Sequence, residues 1–145
     1  MALAVTARIR PFDDADEDAV VAIWHAAGLI RPWNDPHRDI ARKKRVQREL
    51  FLVAQAAGVV VGTAMAGYDG HRGWVYYVAV APDRQGEGLG RLLMTEAEAL
   101  LLALGCPKVN LQIRSGNEAV ATFYDRLGYA PDEATSLGKR LIPDA

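Results

Sequence analysis

The chain has 145 residues, half of them hydrophobic, with 17 Lys or Arg against 18 Asp or Glu and a formal net charge of -1. That length suits one ordinary domain with a sizeable core, and the near-neutral balance gives no reason to expect a nucleic-acid partner. The lone cysteine, Cys106, excludes an internal disulfide and a multi-cysteine metal site, so no metal is expected. The opening MALAVTARIRPF is too short and too interrupted for a signal peptide. No run approaches the ~18 apolar residues of a membrane span, so the expectation is a cytoplasmic protein without a membrane partner.

In chain order, Thr6 to Arg10 reads as a short strand, and Asp13 or Asp14 is placed to cap a helix. Val20, Ile23, Trp24 and Ala27 recur at helical spacing up to Gly28. RPWNDP at Arg31–Pro36 carries two prolines and reads as a loop, followed by a polar helix over Asp39–Arg48. Phe51–Ala54 and Val59–Ala66 read as strands around a turn at Gly58, and Asp69-Gly70-His71-Arg72-Gly73 connects to a third, Trp74–Val80. That run is apolar at both parities, as in a central strand covered on two faces, and alternation sends Tyr76 and Tyr77 to opposite sides.

Leu89, Leu92, Leu93, Ala97, Leu100, Leu101 and Leu104 mark one face of a helix stopped by Gly105 and Pro107. Val109, Leu111 and Ile113 alternate with Asn110, Gln112 and Arg114 in a strand. Asn117 suits the N-cap of a helix carrying Val120, Phe123, Tyr124 and Leu127 and ended by Gly128, and a last strand is predicted over Ser136–Leu141. The order β-α-α-β-β-β-α-β-α-β, without repeat or linker, predicts one α/β domain over residues 1–145.

The stretch before the Leu-rich helix, Arg84-Gln85-Gly86-Glu87-Gly88-Leu89-Gly90, has three glycines in five positions. Inside a helix each costs roughly 1 kcal/mol relative to alanine, so they mark either a sharp turn or a close approach to the backbone. A strand, then glycines, then a helix start is a recurring phosphate site, because helix N-termini leave N–H groups without partners. The P-loop pattern fails, since no Lys-Ser or Lys-Thr follows. The dinucleotide fingerprint fails too, since Arg91 and Leu93 stand where its last glycine is required. What remains is Q/R-x-x-G-x-G/A, here Gln85, Gly88 and Gly90, either a phosphate cradle or a tight turn that binds nothing.

A strand ending Val78-Ala79-Val80, then Pro82, then QGEGLG and a Leu-rich helix resembles the central motif of the GNAT superfamily of acyl-CoA N-acyltransferases. The stretch Asn117-Glu118-Ala119-Val120-Ala121-Thr122-Phe123-Tyr124-Asp125-Arg126-Leu127-Gly128-Tyr129 is similar to the family's second signature, with Val120 standing where alanine is usual. RPWNDP, FLVA, GYDGHRG, GCPK and LGKRLI look like the small bacterial YpeA-type acetyltransferases. The resemblance implies an α+β GNAT fold: a mixed, mostly antiparallel sheet of 6–7 strands with about four helices.

It also implies an enzyme that moves an acetyl group from acetyl-CoA to a primary amine by direct attack on the thioester, with a non-catalytic acyl-CoA-binding regulatory module as the alternative. The amine is a small molecule or a protein amine, and a homodimer is a possible assembly. By the same resemblance, Gln85, Gly86, Glu87, Gly88, Leu89, Gly90 and Arg91 meet the pyrophosphate, and Val78, Ala79 and Val80 line the pantetheine arm. Backbone N–H of Val78 or Val80 would bond the thioester carbonyl, where a donor stabilises the developing oxyanion. Tyr124 matches the acid that protonates the leaving thiolate. Asn117 binds cofactor or water, or is a plain N-cap, or both.

The base is less defined. Relatives that acetylate protein N-termini carry L-E-V-R where this chain has Leu111-Gln112-Ile113-Arg114, and glutamine takes no proton. Asp69 and His71 are substitutes, with an ordinary polar turn as the other reading. Trp33, Asn34 and Asp35 are candidates to line the acceptor pocket, unless the tryptophan packs onto the core. Arg42-Lys43-Lys44-Arg45 reads as a solvated basic face, or as an attractor for an acidic acceptor or the CoA 3′-phosphate.

Overall fold

The computed structural model describes residues 6–144. Five strands form one sheet in the order β1-β2-β3-β4-β5: β1 Arg8–Pro11, β2 Phe51–Ala56, β3 Val59–Tyr68, β4 Gly73–Val80 and β5 Val109–Asn110. The first four are antiparallel neighbours; β5 is parallel to β4 and pairs with it only at Gly73 and Trp74. Four helices flank the sheet: α1 Glu17–Ala26, α2 Pro36–Lys43, α3 Leu89–Ala103 and α4 Glu118–Arg126.

Each face of the sheet carries its own core. On one, Leu52, Ala54, Ala64 and Val75 meet Leu89, Leu93, Ala97 and Leu101 of α3 and Tyr124 of α4. On the other, Phe51 and Val53 meet Phe12, Val20 and Trp24, with Ile40 of α2 closing the layer. The buried set on α3 recurs every four residues from Leu89 to Leu101, so the predicted stripe holds at its centre, while Leu92 and Leu104 turn outward. Phe12 and Phe51 stack with ring centroids 4.5 Å apart.

Helix α2 starts three residues earlier than predicted. Asp35 caps it by accepting from the N–H groups of His37 and Arg38, and Pro36 fills the first position, where its missing N–H costs nothing. It also stops earlier, at Lys43, and Gln47 turns left-handed at φ +50° before β2.

Among the described residues the sheet has five strands rather than the expected 6–7. The predicted strand Val109–Arg114 keeps only its first two residues, and Ser136–Leu141 forms none; Leu137 is 91 % exposed. Alternating apolar residues make a strand only beside a partner edge. Here β5 leaves β4 after Asn110, and no ladder remains to extend.

A bulge interrupts β4. Thr63 faces Ala79 and Met65 faces Tyr76, which leaves Tyr77 and Val78 together opposite Ala64. Tyr77 adopts φ +53°, a left-handed conformation rare for a bulky side chain. The bulge corrects the expectation for Tyr76 and Tyr77. Val75 packs under α3, Tyr76 lies on the other face, and the extra residue keeps Tyr77 on that other face too, stacked on Trp24 at 3.8 Å.

Candidate active site

β5 pairs with only the first two residues of β4, so the β4 edge from Val75 to Val80 has no strand partner on that side among the described residues. Beyond it lies a cleft of about 560 Å³, a size suited to a small ligand. Its walls are the last turn of β4, the glycine loop, the first turn of α3, and the α4 face bearing Val120, Phe123 and Tyr124.

The three glycines have different causes. Gly86 and Gly88 sit at φ +82° and +81°, and a Cβ on either would meet nothing within 4 Å, so backbone conformation alone requires them. Gly88 is the N-cap of α3; no side chain caps the helix and no acidic residue occupies its first turn. Its first N–H groups therefore face the cleft as free donors with the positive end of the helix dipole behind them, a site for an anion. Gly90 is different: a Cβ there would stand 3.1 Å from Phe123 Cζ, so this glycine lets α4 pack against α3.

Glu87 does not stand free. Arg84 donates to both its carboxylate oxygens, at 2.8 and 3.0 Å, and holds its carboxyl below the usual range. Arg91 and Gln85 line the cleft. Tyr124 is only 8 % exposed, its ring edge-on to Phe123 and Tyr129 at 4.9 and 5.7 Å. No hydrogen-bond partner for its hydroxyl stands among the described residues, and burial pushes the phenol up to about 12. A phenol held there stays protonated at neutral pH and is able to donate to a thiolate, whose ordinary pKa is near 8.5. Asn117 caps α4 by accepting from Val120 N–H.

The chain matches the model of the acetyltransferase (GNAT) family over residues 15–129. The chain belongs to this family. It is 49 % identical over 137 residues to an acetyltransferase of Sodalis glossinidius, covering 94 % of this chain and 96 % of that one. Among solved structures, Ard1 from Thermoplasma volcanium superposes with a TM-score of 0.79 at 26 % identity, covering 87 % of this chain and 84 % of that one. The ribosomal-protein-S18-alanine N-acetyltransferase of Escherichia coli does so with a TM-score of 0.74 at 26 % identity, over 90 % and 80 %. This GNAT chain is therefore an acyltransferase, of a family that uses acetyl-CoA.

On the opposite side of the sheet the GNAT chain builds a rim. Trp33, 52 % exposed, lies under the Arg114 guanidinium at 5.7 Å. Asn34 Oδ1 accepts from Arg140 at 2.6 Å. Asp144 accepts from Arg42 at 2.6 Å, from Asp35 N–H at 2.8 Å and pairs with Arg140 at 2.9 Å, and these partners hold its carboxyl well below the usual range. The loop before α2 is thus fastened to the segments after β5 and after α4.

The basic run is not one solvated face. Arg42 bridges Asp39 and Asp144, Lys43 reaches the Ala66 carbonyl, and Lys44 pairs with Asp14. Asp69 caps its own turn by accepting from His71 and Arg72 N–H at 2.8 Å each. That turn adjoins Gly73, five residues before Val78, roughly 16 Å away along the strand. Gln112 donates to Ser136. Cys106 is buried, its thiol donating to the Lys108 carbonyl. Among the described residues no helix is long and apolar enough to cross a membrane, and no cluster of His, Cys, Asp or Glu is placed to hold a metal.

Sequence reasoning missed Asp39, Thr63 and Asp144. Asp39 accepts from the Tyr77 hydroxyl at 2.7 Å, and Thr63, fully buried, donates to the Tyr77 carbonyl at 2.7 Å. Each aspartate has an arginine near it in sequence, Arg42 for Asp39 and Arg140 for Asp144, but nothing local pointed to Tyr77 or linked Asp144 to Arg42.

Proposed function

We propose that this chain transfers an acetyl group from acetyl-CoA to a primary amine by direct attack of the amine on the thioester. The observation that carries this is the meeting, in one cleft, of an unpaired β4 edge, an uncapped α3 start and the Tyr124 side chain. These residues fit a CoA thioester. The free N–H groups from Gly88 to Arg91 match a pyrophosphate. The open edge of Tyr76–Val80 matches the amides of a pantetheine arm, in the way an extended peptide joins a sheet edge. The activated thioester is what acetyl-CoA supplies.

The chain's own residues do the rest. In this reading the irregular backbone at Tyr77–Val78, beside the cleft, supplies the N–H that stabilises the oxyanion of the tetrahedral intermediate. As the carbon–sulfur bond breaks, Tyr124 Oη donates its proton to the departing sulfur; the proton lost by the attacking nitrogen passes to solvent water, which returns one to the phenolate. The amine enters from the opposite face, past the rim of Trp33, Asn34 and Asp35. Cys106 takes no part, being buried away from the cleft.

Two measurements test this together. Thermal unfolding with acetyl-CoA at 100 times its Kd is expected to rise by about 5–10 °C, and release of free thiol is followed with a panel of amines. A shift with amine-dependent thiol release supports the reading. No shift at millimolar acetyl-CoA, in a cooperatively folded sample free of bound CoA, removes it.

A further inference from the structure

A continuous line of contacts runs from the segment after α4 to the bulge of β4. Asp144 Oδ1 accepts from Arg42 at 2.6 Å, and Arg42 donates to Asp39 Oδ1 at 3.2 Å. Asp39 Oδ2 accepts from the Tyr77 hydroxyl at 2.7 Å. The Thr63 hydroxyl donates to the Tyr77 carbonyl at 2.7 Å and accepts from Trp24 Nε1 at 3.0 Å. Apart from Asp39 and Arg42, which are i,i+3 neighbours on α2, the participants lie on α1, β3, β4 and the segment after α4, and no rule of local structure requires those to meet.

The line converges on the one bulky residue of β4 that holds a left-handed conformation. Such a residue persists only where its surroundings over-determine it, and Tyr77 is fixed at every end. Thr63 grips its carbonyl, Trp24 stacks on its ring, and Asp39 holds its hydroxyl. Its neighbour Val78 lines the cleft. Arg42 is fixed in turn, because the Asp144 side chain, 1 % exposed, accepts from it while pairing with Arg140 and accepting from Asp35 N–H.

We propose that Asp39 and Asp144 are positioning residues for acyl transfer. Through Arg42 and Tyr77 they hold the β4 bulge in the geometry that aims the Val78 backbone at the reacting carbonyl. Through Asp144, the segment after α4 thereby takes part in setting that geometry. The inference rests on the acetyl-transfer reading for its catalytic consequence, but its physical link is measurable without any substrate.

The test uses the free protein first. In 15N-labelled samples, Asp144→Asn and Asp39→Asn are expected to move both the Trp24 indole N–H and the Val78 amide resonances. The control Arg38→Gln, on the same helix but outside the line, leaves them in place. Each spectrum reports folding by its own dispersion, so an unfolded variant is recognised as such. If Asp144→Asn leaves both resonances unmoved in a folded protein, the link does not exist and the proposal falls, whatever the activity.

Kinetics then follow with acetyl-CoA and an active amine. Asp39→Asn and Tyr77→Phe are expected to lower kcat on the order of tenfold, as small misplacements of a reacting group do, with KM for acetyl-CoA little changed. The double variant Asp144→Asn/Tyr77→Phe should lose no more than Tyr77→Phe alone, because both cut one line. Additive losses, or an unchanged kcat in Asp39→Asn, overturn the proposal. A wild-type protein that acetylates no amine overturns the acetyl-transfer reading instead, while the resonance shifts still decide the link.

Discussion

The two sides of the sheet are built by different means. The cleft side draws on two short stretches, Val78–Arg91 and Ala119–Leu127, and much of its shape is backbone: a bulge, two glycines with positive φ, an uncapped helix start. The rim side is made of side chains brought from far apart in sequence, Asn34 with Arg140 across 106 residues and Arg42 with Asp144 across 102. The first is a hydrogen bond to an amide and the second an ion pair whose arginine is 44 % exposed, and such surface contacts contribute little stability each, typically about 1 kcal/mol or less. Under the proposed acetyl-transfer reading, a molecule built this way is free to change its rim, and with it the acceptor, while the cleft keeps its shape.

The largest expected effect lies on the cleft side, at the proposed acid. Tyr124→Phe keeps the ring and its edge-on contacts and removes only the hydroxyl. It is expected to lower kcat by about 10²- to 10⁴-fold, the usual worth of a general acid, with acetyl-CoA binding retained. Because burial pushes this phenol up to about 12, its acid form persists through ordinary alkaline assays, so Tyr124 should add no falling limb to the pH–kcat profile below pH about 10. Full activity in Tyr124→Phe, with chemistry rate-limiting, refutes the role.

Next in size is Gly88→Ala. The left-handed conformation at φ +81° costs a residue with a Cβ roughly 1–2 kcal/mol, and open space around it offers no packing in return. Lower thermal stability and weaker acetyl-CoA binding in calorimetry are both expected. A stable Gly88→Ala protein with unchanged affinity would mean that the loop does not hold the phosphates.

The difference between the two sides also explains what was legible in the sequence. Glycines announce unusual backbone directly, so the α3 entrance stood out, and the α3 and α1 stripes located both cores. The bulge at Tyr77 was not legible, because no glycine marks it; its φ is imposed by Thr63, Trp24 and Asp39, residues from three other elements. The final strand predicted over Ser136–Leu141 does not form, since a short run with Leu137 and Leu141 says nothing about whether a partner edge exists. Gly90 was grouped with its neighbours although its cause is the Phe123 ring, a fact of packing between α3 and α4. Asp144 left little local trace, because of its three partners only Arg140 is near in sequence, while Arg42 and Asp35 stand 102 and 109 residues away.

That distinction among the glycines is itself testable, with a smaller effect. Within a helix, Gly→Ala gains at most about 1 kcal/mol from propensity. At Gly90 the new Cβ would press Phe123 at 3.1 Å, and such crowding costs about 1–3 kcal/mol when the neighbour cannot yield. Gly90→Ala is therefore expected to be neutral to destabilising in the native background and stabilising when Phe123 is first replaced by Leu. Chemical denaturation of the four proteins in this cycle measures the coupling, and additivity would show that Phe123 is not what requires the glycine.

The smallest effect belongs to the rim and depends on pH. Asp144 is held below its ordinary pKa first by Arg42 and then by the Asp35 N–H and Arg140. A carboxyl whose folded-state pKa is depressed contributes stability above its unfolded value, near 3.9, and loses that contribution as pH falls toward the folded value. Asp144→Asn should therefore lower Tm at pH 7 by a small margin, and the gap to wild type should narrow as pH drops below about 4. The cleft offers the contrast: Tyr124→Phe changes no group that titrates in this range, so its Tm difference from wild type should be flat over the same span. If the Asp144→Asn gap stays constant down to pH 3, the ion pairs at the rim are not coupled to folding, and the fastening of the α2 loop rests on the Asn34 and Trp33 contacts instead.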